Sequence, residues 1–275
     1  YLFFSYHPNV AIVPTLERML EKETNEFVRP ALMRALAAHD DDAKVQQILL
    51  NEVRRGEDFF RSAVIEALGD YKATYSVAEL TKIVQLEGPL QDDAALALGK
   101  IGDRRATATL AGLQRTAPQV TQPIIAAAIC LLGVNCSSHV NYLVKTLQFS
   151  EDNIGYQELL RSTTFALAAV ASAGHPEASS ALFDVGIPSQ DPARAPIALA
   201  VATAALRNPI DLLAFLESRP DLEECGLLLR DGFDMLEEHY DEERFFVAVR
   251  RAHWQAPAGS ARRKIAEALI QRLDF

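Results

Sequence analysis

Asp93-Ala94-Ala95-Leu96-Ala97-Leu98-Gly99-Lys100-Ile101-Gly102-Asp103 is the stretch on which the fold turns. Its Ala97-Leu98-Gly99 follows Ala67-Leu68-Gly69-Asp70 by 30 residues and is echoed, after another 34, by Leu131-Leu132-Gly133. Looser copies stand at Ala35-Leu36 and Ala205-Leu206. An apolar segment that ends in Ala-Leu, with glycine after it, at a period of about 30 to 38 residues, marks stacked helical hairpins. One hairpin cannot bury its own apolar face, so each pair must be covered by the next. The fold class expected is therefore all-α, a right-handed α-solenoid built as one repeat domain over residues 1–275. No segment keeps the period-2 alternation of a strand.

Working outward, turn signals divide the chain into about seven helix pairs with flanking helices over Val10–Lys22 and Ser260–Leu273. Phe27–Ala38 and Ala43–Arg55 are broken by His39-Asp40-Asp41-Asp42, whose aspartates can cap the second helix through its free amides. Asp58–Leu68 and Leu90–Leu98 are expected to close on Gly69 and Gly99 as left-handed residues, as Gln122–Leu132 closes on Gly133 and Gln157–Ser172 on Gly174. His175-Pro176-Glu177 and Asn208-Pro209 open helices, with proline in the first turn. Alanines within the apolar segments (Ala94, Ala95, Ala97; Ala126, Ala127, Ala128; Ala198, Ala202, Ala205) let neighbouring helices approach closely.

The net charge of −10 is unevenly placed. Between Asp221 and Glu243 lie ten carboxylates against Arg230 alone, and the rest of the chain is close to neutral. Nucleic-acid binding needs a basic face that releases counterions, so DNA and RNA are excluded as expected partners. No run approaches the roughly 18–20 apolar residues of a membrane span. Cys130, Cys136 and Cys225 form no CxxC, and the odd count argues against a disulfide framework. All three are expected as free cysteines packed like small hydrophobes, a usage that points to the cytoplasm. The chain begins at Tyr1 and not at Met. Tyr1-Leu2-Phe3-Phe4 fits the remainder of a cleaved signal, the interior of a longer protein or an artificial start.

At Asp93–Ala106, continuing to Leu110 and Leu113, the chain resembles a HEAT repeat, and more narrowly the bacterial variant named after phycobilisome lyases. Phe60 to Leu80 is a second copy. This resemblance implies a HEAT-like solenoid from about residue 27 to 255. Its broad family holds assembly scaffolds, transport adaptors, chromophore lyases, a di-iron hydroxylase and a DNA glycosylase, so it does not define function. The hydroxylase relatives bind iron through His-Glu pairs. None of the six histidines here is followed by Glu, so that site is not expected. HExxH, GxSxG and GxxxxGK[ST] are absent. Glu238-His239 with Glu242 and Glu243 places a histidine among acids, but a metal needs three or four converging ligands. No catalytic residue, metal or cofactor is expected.

The acidic hairpin is the anomaly. At about 100° per residue, Leu222, Cys225, Leu229, Phe233, Leu236 and Tyr240 share one stripe, and the acids fall across the other side. The expected partner-binding set is Glu223, Glu224, Asp231, Asp234, Glu237, Glu238, Glu242 and Glu243, facing a basic protein segment. Mutual repulsion of these acids costs stability unless cations offset it. Arg262, Arg263, Lys264 and Arg272 of the last helix are candidates for that role. Further contact positions, taken from the second helix of each pair, are Lys44, Gln47, Asn51, Lys82, His139, Asn141 and Lys145. The function expected is a protein-interaction scaffold, not an enzyme. The alternative is an accessory enzyme of the phycobilin-lyase type.

Overall fold

The computed structural model describes residues 1–39, 41–236 and 241–273 of the chain. Among them every regular element is helical, which makes the protein all-α. The chain divides into two compact units, Tyr1–Cys136 and Ser137–Phe275.

The first unit holds α1 (Leu2–Tyr6), α2 (Val13–Lys22), α3 (Arg29–Ala37), α4 (Ala43–Glu52), α5 (Asp58–Asp70), α6 (Val77–Val84), α7 (Gln91–Ile101), α8 (Thr107–Thr116) and α9 (Gln122–Leu131). The odd-numbered helices form one row, each packed on the next odd helix, and the even ones lie beside them. The main contacts of α6 and α8 are with α7 and α9, the helices that follow them. Row position explains composition. α7 buries Gln91, Ala94–Gly99 and Ile101, and α9 buries everything from Pro123 to Cys130, because neighbours cover them on several sides. In α8 only Leu110 is buried, so one apolar stripe suffices there.

The glycines of the repeat need a correction. Gly69 and Gly99 do not end their helices; α5 runs on to Asp70 and α7 to Ile101, where Gly102 (φ 79°) takes the left-handed position. A Cβ on Gly69 would stand 2.8 Å from Ala97 Cα, and one on Gly99 would stand 2.8 Å from Ala128 Cα. Each repeated glycine is therefore the point where one row helix lies against the backbone of the next. Only a missing Cβ allows that approach. Gly133 (φ 74°) and Gly174 (φ 90°) do take the left-handed conformation. The residues after the paired glycines form a charge ladder across the row. Asp70 accepts from Arg34 of α3 at 2.8 Å and from Lys100 of α7 at 2.7 Å.

The second unit begins one residue into α10 (Cys136–Asp152) and holds the rest of it with α11 (Gln157–Ser172), α12 (Pro176–Gly186), α13 (Arg194–Arg207), α14 (Pro209–Leu216), α15 (Leu222–Leu236), α16 (Glu242–Gln255) and α17 (Ala261–Leu273). α11, α13, α15 and α17 form its row, with α12 and α14 against α13 and with α16 against α17. Asn208 caps α14 by accepting from the Asp211 amide, and Asp42 caps α4 by accepting from the Lys44 amide. Asp40 lies outside the described residues.

Cys130 and Cys136 form a disulfide across the turn between α9 and α10, which corrects the free-thiol expectation for both. The helix break at Gly133 brings the ends of two apolar segments within reach, a proximity that a count of three cysteines cannot reveal. Cys225 is free and buried, as expected.

Candidate interaction surface

α15 is seated by its small residues. A Cβ on Gly232 would stand 2.2 Å from the Ala198 carbonyl oxygen and 2.7 Å from Ala202 Cβ, so α15 lies directly on the backbone of α13. Cys225, Leu228, Leu229 and Phe233 fill the same side. Phe233 packs on Phe245 of α16 with ring centroids 4.9 Å apart, which fixes the start of α16.

The acids on the opposite side do not stand alone against water. Arg219 reaches Asp221 and Asp184 at 2.5 Å each, and Arg194 reaches Asp231 at 2.8 Å while also donating to the Gly186 and Ile187 carbonyls. Arg244 lies 3.3 Å from Asp241, Arg250 lies 3.6 Å from Glu243, and Arg272 pairs with Glu223. Arg262 meets Glu217 at 2.5 Å, and Arg263 meets Glu267 of its own helix at 3.3 Å. Asp221, Glu223, Asp231, Asp241 and Glu243 thus each meet an arginine, and for Glu223 and Asp231 it comes from another helix, which offsets part of the expected repulsion. Glu224 and Asp234 are exposed, whereas Glu242 is half-buried. Glu237, Glu238, His239 and Tyr240 lie outside the described residues.

Arg219 holds the Asp221 carboxyl below the usual carboxylate range, chiefly by its hydrogen bond. Burial pushes the Cys225 thiol up to about 12, so it stays protonated and is a poor nucleophile at neutral pH. His139 is half-buried, and burial pulls its pKa below the ordinary imidazole value.

Of the second-helix positions, Lys44 pairs with Glu17 of α2, Lys82 lies 3.2 Å from Glu79, and Gln47 donates to Asn51 at 3.0 Å. Asn141 and Lys145 are exposed on α10.

Two groups escaped the sequence reading. Asp92 and Asp93 begin α7 amid packed helices. Burial pushes Asp92 up to about 6 against a hydrogen bond from Thr121, and it raises Asp93, which bonds Ser62. The second group is the outer face of α16. Phe245 and Val249 are buried, which turns Glu243, Val247, Arg250, Arg251 and Trp254 outward. Trp254 is 77% exposed and Val247 41%. The signal was legible in spacing, since residues 243, 247, 250, 251 and 254 share one helical face. In the sequence, His253-Trp254 draws notice for its histidine instead.

Scanning protein-family models finds no match to this chain, and no curated protein matches it. No single described helix is long and apolar enough to cross a membrane.

Proposed function

We propose that the protein is a scaffold of HEAT-like helical hairpins, a right-handed α-solenoid whose work is to hold a partner protein. The observation that carries this reading is the division of labour among helices. Row helices such as α7 and α9 are consumed by packing, while outer helices such as α8 and α16 bury one stripe and leave a polar or aromatic face outward. Repetition of that arrangement is how solenoids present extended binding surfaces. The Arg-bridged acids of α15 argue that this hairpin serves stability as much as recruitment. A cytoplasmic setting belongs to this proposal, and the Cys130–Cys136 disulfide is the feature that weighs against it.

The test is affinity capture from the source lysate at low and high salt, read by mass spectrometry alongside absorption and metal analysis of the purified chain. A stoichiometric protein partner, recaptured with purified components, supports the scaffold. A chromophore or metal retained with no protein partner sinks it in favour of the lyase-type enzyme.

A further inference from the structure

We propose that the outer face of α16 docks an acidic segment of a partner protein, with Trp254 as apolar anchor and Arg250 and Arg251 as the forks that take carboxylates. The inference rests on the scaffold reading and names the surface and the partner's chemistry. Trp254 is the chain's single tryptophan and stands almost entirely in solvent one helical turn from Arg250 and Arg251. Tryptophan and arginine are the side chains that most often dominate protein interfaces, because both desolvate large areas in fixed geometry. Val247 continues the apolar strip, and Arg263 of the neighbouring α17 comes close through Glu267, which both it and His253 approach. α17 is held beside the end of α16 by the approach of His253 Nε2 to Glu267 Oε1 at 3.4 Å. The His253 ring meets the indole edge-on at 5.1 Å, which limits the orientations of Trp254.

Charge selects the occupant. Arginine's planar fork matches a carboxylate in two parallel hydrogen bonds. The face is also interrupted by acids, Glu243 beside Arg250 and Glu267 beside Arg263. A continuous phosphate backbone or a flat anionic membrane would press against those acids and against the net charge of −10. A short peptide segment with spaced carboxylates can set its charges on the arginines between those acids, brings far less total charge against the chain, and offers an apolar side chain to Trp254.

Trp254 supplies its own reporter. The full chain is titrated with a short synthetic peptide alternating Glu with Leu and Phe, and separately with its Lys counterpart, while indole emission is followed. The Glu peptide is expected to shift emission to shorter wavelength, saturably, at about 0.05 M salt, with affinity falling at least about fivefold at about 0.3 M. Arg251→Glu alone, and Arg250→Glu with Arg251→Glu, should each weaken binding, the pair by about tenfold or more. Thermal melts by circular dichroism check that both variants stay folded. No saturable shift overturns the proposal, as does an equal response to the Lys peptide or unchanged binding by folded variants. A stronger response to phosphatidylserine vesicles or to a single-stranded oligonucleotide also overturns it, in favour of that class. If the Arg250→Glu/Arg251→Glu chain still captures its partner from lysate, this surface assignment falls and the scaffold reading stands.

Discussion

α7 and α15 hold the same place in their units: each is a row helix packed between two row neighbours, α5 and α9 for one, α13 and α17 for the other. Both rely on a glycine pressed against a neighbour's backbone, Gly99 on Ala128 and Gly232 on Ala198. They part in how they treat charge. α7 begins with two half-buried aspartates, and Asp92 Oδ1 has no hydrogen-bond partner among the described residues. α15 carries its acids on the outside and meets them with arginines from before and after it in sequence. The shape of a row helix is thus set by missing side chains, whereas its pH response is set by where the carboxylates point.

The glycine contacts are where that comparison breaks first. Gly232→Ala places a methyl 2.2 Å from the Ala198 carbonyl oxygen and 2.7 Å from Ala202 Cβ, with no flexible side chain to yield. Its expected cost is about 3 kcal/mol or more, read by urea unfolding. Gly99→Ala, at 2.8 Å from Ala128, should cost about 2 kcal/mol. Gly112 lies inside α8, and a methyl there would meet nothing within 4 Å, so Gly112→Ala should stabilise by about 0.5–1 kcal/mol. Equal losses at all three positions would mean that glycine serves flexibility here and not close approach.

Charge comes next. Because burial pushes Asp92 up to about 6 from 3.8, the folded chain holds that proton more tightly than the unfolded one. The penalty is absent below the unfolded pKa, grows as pH rises through this window and is complete above about 6. Asp92→Asn should therefore stabilise by about 1–2 kcal/mol at neutral pH, after allowing for the lost attraction of an acid to the helix N-terminus, and do little near pH 4. Melting temperatures across that range check it. The opposite sign is expected around Asp221, whose carboxyl is held low: its contribution is present above the unfolded pKa and lost as pH falls through the folded one. Arg219→Met removes the hydrogen bonds to Asp221 and Asp184 together with the contact of the guanidinium over Phe215, 5.8 Å from the ring centroid. About 1 kcal/mol should be lost at neutral pH and less at acid pH.

These contrasts also mark what could be read in advance. The existence of nearly every helix was legible, because apolar spacing and caps such as Asp42 and Asn208 are local signals. The role of Gly69 and Gly99 was not, since a glycine after Ala-Leu looks the same whether it ends a helix or seats one. Only the second glycine, Gly102, hinted that the helix continues. The Cys130–Cys136 link depends on the turn at Gly133 and Asn135 that brings the two sulfurs together, which composition does not carry. Likewise the acids of α15 were legible as a cluster, but their arginine partners lie up to 49 residues away, as for Arg272 with Glu223. Charge counted within a window misses neutralisation that arrives through the fold.

Arg272 and Glu223 give the smallest expected effect and the sharpest limit on the acidic hairpin's role. Both side chains are well exposed, 37% and 72%, so solvent screens the pair and two long side chains lose freedom in forming it. Glu223→Gln should change stability by no more than about 0.5 kcal/mol, and a reciprocal Arg272→Gln should not add to it. If Glu223→Gln leaves stability unchanged yet weakens a purified partner, α15 is a binding face that borrows Arg272 while free. If it changes neither, the acids of this hairpin serve solubility, and recognition belongs to the arginine and tryptophan side of α16.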